Sequence, residues 1–417
     1  MDASKWPRSP SGIWFIRPAQ RQLDSAQLEL FFDRALALGV RGVSFANFAV
    51  TDHMIARGLA SRPSTLTFVD LSNTSITDAT TRALAKLPNL EHVWLSGTPI
   101  TNASLAELAT TSTLTSVRVD DTADAFASRA NLERLDLGHT AITDATISRL
   151  TTTRMRLLDI AETQVTASLA KLSTWSDLQE LYISDTQIVG SFDRLKALSN
   201  LRVLHVAGLP FDDTAAETFR SFPRLVELDL SRTTVTSASM PTLGSLVRLR
   251  SLALNELPLV DGDLDTLTNE TTTLETLTLD RTSITDRGMT KLGKLKRLSQ
   301  LSIKDTAVTD AGCLELAPLR LVAINIGGTH VTIACLAALS RIATLSELDA
   351  DDLGLRVGDQ LAATSNLVTL SLVGSKFDEK GVASLLRLRS LRELHATDSA
   401  LPTKVRKRLI ASGIAIE

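Results

Sequence analysis

The sequence predicts an α/β solenoid: a right-handed coil of about sixteen short repeats, with a parallel β-sheet on the concave side and short helices on the convex side. Three observations predict it. Leucine supplies 70 of 417 residues, while Phe, Trp and Tyr number only 12, 4 and 1. A thirteen-residue pattern recurs in register along almost the whole chain. The apolar spacing inside each copy changes from every second residue to every third or fourth, the change from strand to helix.

The pattern is plainest in Leu66–Asp78 and Leu274–Asp286, which both fit L-x-x-L-x-L-x-x-T-x-I-T-D with Val69 in place of one Leu. With the T position as zero, copies fall on Thr74, Thr98, Thr122, Thr140, Thr163, Thr186, Thr233, Thr282, Thr306 and Thr329. Degenerate copies place Phe48, Leu209, Leu257, Leu353, Ser375 and Ser399 there. From 48 to 399 is 351 residues over 15 steps, a mean period of about 23.4. A period of this size indicates a stacked-repeat architecture, because one such unit cannot bury its own apolar side.

Each element of the repeat has a physical reason. The apolar residues at −5 and −3 lie two apart and point inward from a strand, leaving −6 and −4 to face outward. The Thr hydroxyl is placed to satisfy backbone groups of the turn after the strand, in particular donors. The I-T-D segment puts Thr or Asp at a helix N-cap, and Ala83, Leu84, Leu87 and Leu90 follow at helical spacing. Fifteen strand steps of ~4.8 Å give a concave arc of roughly 70 Å. The step from Thr122 to Thr140 is only 18 residues, so a loop or short turn is expected around Ala123–Ala130.

These residues resemble the leucine-rich-repeat family, over roughly residues 40–400, in its bacterial and ribonuclease-inhibitor-like form. The resemblance implies a horseshoe fold and a role in binding proteins. Thr replaces the family's more usual Asn or Cys at the zero position. The expected organisation is an N-terminal cap at 1–39, the solenoid at 40–400 and a C-terminal cap helix at 401–417, as one continuous domain. Within the caps, Ser25–Leu38 reads as an amphipathic helix bearing Leu28, Phe31, Phe32 and Leu36. Pro402 opens a second, whose basic run Lys404–Arg408 reads as a solvated face.

Charge narrows the function. Lys plus Arg is 44 and Asp plus Glu is 47, a net of −3, which argues against a generally basic nucleic-acid binder. The outward positions −6, −4, −2 and −1 of sixteen repeats hold 19 acidic and 5 basic residues, a net of −14, so the remainder carries +11. The concave face is therefore expected to be acidic and to attract a protein with a basic surface. The −4 and −6 columns of repeats two to nine bring together Phe68, His92, Trp94, Arg118, Arg134, Asp136, Asp159, Glu180, Tyr182, His205 and Asp229. Exposed Trp and Tyr among charges are typical interface anchors. A second acidic group, Glu347, Asp349, Asp351 and Asp352 with Glu393 and Asp398, reads as a solubilising stripe or a docking point for a basic partner or a divalent cation.

Catalysis is not expected. Asp136 and Asp159 fall on neighbouring strands, as paired carboxylates do in glycoside hydrolysis, but on an open face. His205 with Asp159 and Asp229 has suitable metal-donor chemistry but nothing to close the shell. No Gly-rich phosphate loop, GxSxG or HExxH occurs. Cys313 and Cys335, at +7 and +6 of consecutive repeats, are expected as neighbouring buried thiols. Leu209, Leu257 and Leu353 interrupt the Thr column and mark altered turns or an apolar lip. The resulting expectation is a non-enzymatic, cytoplasmic bacterial interaction protein without cofactor or metal, binding neither nucleic acid nor membrane. The alternatives are a recognition or regulatory subunit of a separate enzyme and a secreted effector that binds host protein.

Overall fold

The computed structural model describes residues 15–18, 24–60, 65–120, 123–126, 128–270, 273–363, 366–399, 401, 403–411 and 413–416. Thr122 and Pro402 lie outside these residues, as do the segment before Phe15 and the side chain of Leu36. The chain forms two compact units, 1–201 and 202–417.

The N-terminal unit is built on eight parallel strands: β1 (Phe15–Ile16), β2 (Gly42–Ser44), β3 (Phe68–Asp70), β4 (His92–Trp94), β5 (Ser116–Arg118), β6 (Arg134–Asp136), β7 (Leu157–Asp159) and β8 (Glu180–Tyr182). Each pairs with the next in sequence, centre to centre, as in Val69↔Val93 and Leu135↔Leu158. From β2 onward every strand occupies positions −6 to −4 of its repeat. The −5 and −3 residues, such as Val69, Leu71, Leu158 and Ile160, are 0–2% exposed. Helices fill the second half of most repeats. The short eighteen-residue repeat has only a one-turn 3-10 helix, Ala123–Phe126, where a loop or turn is expected. The expected cap helix spans Ser25–Ala37 and buries Leu28 and Phe32. Strand β1 is an addition that the repeat pattern does not reach, since Phe15–Ile16 precedes the first copy of the motif.

The C-terminal unit continues the same plan in β9 (Val203–His205), β10 (Glu227–Asp229), β11 (Ser251–Ala253), β12 (Thr276–Thr278), β13 (Gln300–Ser302), β14 (Ala323–Asn325), β15 (Glu347–Asp349), β17 (Thr369–Ser371) and β19 (Glu393–His395). It closes with β20 (Ala415–Ile416), which pairs with β19 after the helix Thr403–Ala411. A separate two-stranded sheet joins β16 (Arg356–Val357) to β18 (Lys376–Phe377). Leu209 and Leu257 are 1% and 2% exposed. They fill the space of the missing Thr and do not form an exposed lip.

Three hydrogen-bond patterns hold the repeats together. Each described Thr at position zero donates its hydroxyl to the carbonyl three residues earlier, as Thr163 does to Ile160 at 2.7 Å and Thr282 to Leu279 at 2.6 Å. The column therefore satisfies an acceptor within its own repeat, not the donors anticipated from the sequence. Every described residue at −1 has positive φ, including Asn73, Glu162, Arg281 and Asp305. The left-handed turn aims its N–H at the next repeat's −2 carbonyl, as in Arg281 to Lys304 at 2.8 Å. Gly97 and Gly328 occupy the same position, where a side chain would strike the neighbouring Asn73 or Asp305 carboxamide or carboxylate.

The third pattern comes from the I-T-D segment. Its Thr caps a helix, as Thr285 does for the helix Asp286–Leu292. Its Asp reaches forward and accepts both the N–H and the hydroxyl of the next repeat's Thr. Asp52 holds Thr77, Asp78 holds Thr101 and Asp144 holds Thr166. In the C-terminal unit Asp213 holds Thr236, Asp261 holds Thr285, Asp286 holds Thr309 and Asp310 holds Thr332. Thr101 hydrogen bonds hold the Asp78 carboxyl below its usual range. For Asp52, Asp144, Asp213 and Asp286, burial pushes the other way but is outweighed by similar bonds.

Cys313 and Cys335 correct the expectation of two thiols. They form a disulfide with Cα atoms 5.6 Å apart, buried between consecutive repeats. Positions +7 and +6 fall on the inward side of adjacent helices, which is why the two sulfurs meet.

Candidate functional site

The outward strand face of the N-terminal unit carries most of the residues picked out from the sequence. Their alternation with Val69, Val93, Val117, Leu135, Leu158 and Leu181 follows from the two-residue strand period, which sends those apolar side chains inward. Parallel in-register pairing then lines up Asp70, Trp94, Arg118, Asp136, Asp159 and Tyr182 as successive neighbours in one column.

The column is tightly interlocked. Trp94 is half-buried, its ring edge-on to Phe68 with centroids 4.9 Å apart. The Arg118 guanidinium lies 5.8 Å from the Trp94 ring centroid and donates to Asp136 at 2.9 Å. Arg134 pairs with Glu180 at 3.1 Å across the intervening strand. Tyr182 donates to Glu180 at 3.5 Å. Asp70 is buried and accepts from the Ser44 hydroxyl at 2.7 Å and the Ser72 N–H at 3.0 Å.

Two expected surface groups lie below the surface. Phe68 is fully buried, sandwiched between Phe15 and Trp94. His92 is 8% exposed. Strand alternation places both outward, but Phe15 and Trp94 cover Phe68, and His92 lies in register between Phe68 and Ser116. Burial, aided by the nearby Arg134 charge, pushes the His92 pKa down to about 4, so its imidazole is neutral near pH 7. Its Nδ1 is buried without a hydrogen-bond partner.

Asp136 and Asp159 are register partners on β6 and β7. Burial raises both pKa values. Asp159 reaches about 6, with the Asp136 charge as the second cause. The Ala161 N–H bonds Asp159 at 3.0 Å, and the Gly138 N–H bonds Asp136 at 3.3 Å. Both carboxylates are therefore held by backbone N–H groups, and Asp136 is also ion-paired to Arg118. Among the described residues, no group of three or more His, Cys, Asp or Glu is arranged to hold a metal ion.

The other two predicted residues belong to the strand face of the C-terminal unit. His205 bonds Glu227 at 2.9 Å, and this bond lowers the Glu227 pKa. Asp229 accepts from the Ser231 N–H at 2.9 Å. Further along, β12 to β19 present mainly short polar side chains. The acidic group expected here includes Glu347, Asp349 and Glu393 of this stretch, but the repeat pattern does not mark the short neutral side chains around them as a recess. The run of Thr, Ser, Ala and Asn in the −4 and −6 columns is the signal that marks it. No described helix is long and apolar enough to cross a membrane.

Neither a protein-family model nor a curated protein sequence matches the chain. Solved structures do. An internalin of Listeria monocytogenes superposes with a TM-score of 0.52 at 22% identity, covering 76% of this chain and 88% of its own. A leucine-rich-repeat protein of Leptospira interrogans gives 0.50 at 15% identity, with 92% and 98% covered. The chain has the leucine-rich-repeat fold.

Proposed function

We propose that this chain is a non-enzymatic protein-binding module whose N-terminal strand face, centred on Trp94, Arg118, Asp136, Asp159 and Tyr182, engages a partner with a basic surface. One observation carries the reading most strongly. Trp94 is half-exposed yet braced on one side by Phe68 and on the other by Arg118. A rigid aromatic anchor loses little entropy on binding and excludes water from its neighbours. The chain contains one Tyr and four Trp, and this face holds Tyr182 and one Trp. Arg134 and Glu180 order the rim beside them, and His205 and Asp229 are proposed as contacts of the C-terminal unit's own strand face, taken by itself.

Affinity capture at low and high salt, followed by calorimetry on the captured protein, tests the reading. Trp94→Ala should weaken binding ~30-fold, as the loss of about 2 kcal/mol implies. Unchanged affinity in both Trp94→Ala and Tyr182→Ala variants would remove the assignment.

The alternative of a recognition subunit predicts co-purification with an enzyme. The exported alternative gains support from the Cys313–Cys335 bridge, because such bonds persist mainly in oxidising compartments. Thiol alkylation of the protein from its native cells decides this point. A blocked bridge fits export, and two free thiols fit the cytoplasm.

A further inference from the structure

A recess of about 440 Å³ lies on the strand face of the C-terminal unit, across β12, β13, β14, β15, β17 and β19. Short side chains create it. Thr278, Ser302, Asn325 and Ser371 stand where β3 to β8 carry Trp, Arg, Asp and Tyr, and Ala323 lies in the column beside them. The leucines beneath, such as Leu277 and Leu348, are 0% and 2% exposed and belong to the core.

The recess has an uncompensated charge. Glu347 and Asp349 lie two apart on β15 and therefore on one face. Among the described residues, neither carboxylate has a Lys, Arg or His within ion-pair distance. Asp349 accepts from the Asn325 amide at 3.0 Å and the Asp351 N–H at 3.2 Å. Half-burial raises its pKa and the Asp351 and Asp352 charges add to this, while the hydrogen bond from the Asp351 N–H and the Lys304 charge act against them. Glu347 is exposed at the rim. A second observation is independent of charge: the Thr278 hydroxyl, which lines the recess, is buried without a hydrogen-bond partner.

We propose that this recess binds an extended peptide segment of another protein, with a Lys or Arg side chain seated between Glu347 and Asp349. Two carboxylates on one strand face suit one cationic head group, which they hold by charge-assisted hydrogen bonds. Six strands at ~4.8 Å span about 24 Å, the length of roughly seven extended residues. The Thr, Ser, Asn and Gln side chains along that line can donate to and accept from a peptide backbone. This site is separate from the Trp94 face and stands or falls independently of it.

The test uses the full chain and four immobilised heptapeptide libraries, randomised except for a central Arg, Lys, Ala or Glu. The Arg and Lys libraries should retain the protein at least tenfold better than the Ala library, and the Glu library least. Glu347→Gln, isosteric and exposed, should lower that preference. Ala323→Lys should abolish it, because Ala323 is the register partner of Glu347 and places the protein's own cation in the recess. Trp94→Ala should leave it unchanged. Circular dichroism melts confirm that each variant is folded. Equal retention on all four libraries, or an undiminished Arg and Lys preference in Ala323→Lys, overturns the proposal.

Discussion

The two units use one backbone plan to opposite effect. On β3 to β8 the outward column is tall and self-satisfied, with Trp94, Arg118 and Asp136 linked in sequence and Arg134 tied to Glu180. On β12 to β19 the column is low, and among the described residues no cation lies within ion-pair distance of the carboxylates of β15. A prearranged ion pair has already lost part of its water, so a partner meets a stiff surface on which Arg118 and Arg134 already match Asp136 and Glu180, while Asp70 and Asp159 keep the face acidic. An unpaired carboxylate in a trough keeps its attraction for an incoming cation. The net outward charge of −14 therefore misleads as a single number. What matters is which of those charges the protein has already matched internally.

The sharpest way to break this contrast is to remove the brace beneath the tall column. Phe68→Ala deletes a fully buried ring, and a loss of about 3–5 kcal/mol is expected. Hydrogen exchange should show faster opening on β2 to β4, and Trp94 emission should move to the red. Intact protection there would mean that Trp94 is not held from below.

The low column rests on covalent support. Cys313 and Cys335 lie 22 residues apart, so replacing both with Ala should cost about 3 kcal/mol by loss of loop-closure constraint. Denaturant unfolding followed at amides of β13 to β15 measures this. A change below 1 kcal/mol would assign the strength of that region to packing and to the Asp286–Thr309 and Asp310–Thr332 bonds alone.

The smallest effect concerns pH. Asp159 titrates at about 6 in the fold, above the ordinary 3.8. The folded state therefore holds the extra proton between these values, and this group's contribution to stability falls as pH rises through that window. The forward-reaching Asp residues act in the opposite sense. Their lowered pKa values give stability that is present above about pH 4 and lost on acidification below it. Asp159→Asn should raise stability at pH 7 by roughly 1–2 kcal/mol and leave it unchanged near pH 4. Equal melting shifts at both values would show that Asp159 is not the group responsible.

Much of the architecture was legible because the motif is repeated many times. The −5 and −3 residues lie in the core, β2 to β15, β17 and β19 start at −6, and the Thr of I-T-D caps its helix. The misses are contacts that a one-repeat view cannot contain. Phe68 and His92 point outward by alternation yet lie buried, because Phe15 and the flanking rings come from other repeats. The pairing of Arg134 with Glu180 skips a strand. The disulfide depends on two helices meeting across a repeat boundary, and the recess is defined by what the side chains lack. Sequence named the face but not its internal neutralisation.

The direction of the side-chain bonds has a consequence for how such a chain can change length. Each zero-position Thr closes on a carbonyl of its own repeat, so copying or deleting a repeat leaves that bond intact. The Asp bonds point forward, and a cut between Asp286 and Thr309 strands a carboxylate on one side and a helix cap on the other. After Thr163 the corresponding residue is Ala167, which has no carboxylate to extend. Gly190 and Ser237 stand at the same position, so junctions of this kind let repeats be gained or lost without breaking a forward bond, whereas the run from Asp261 to Thr332 is tied at every step.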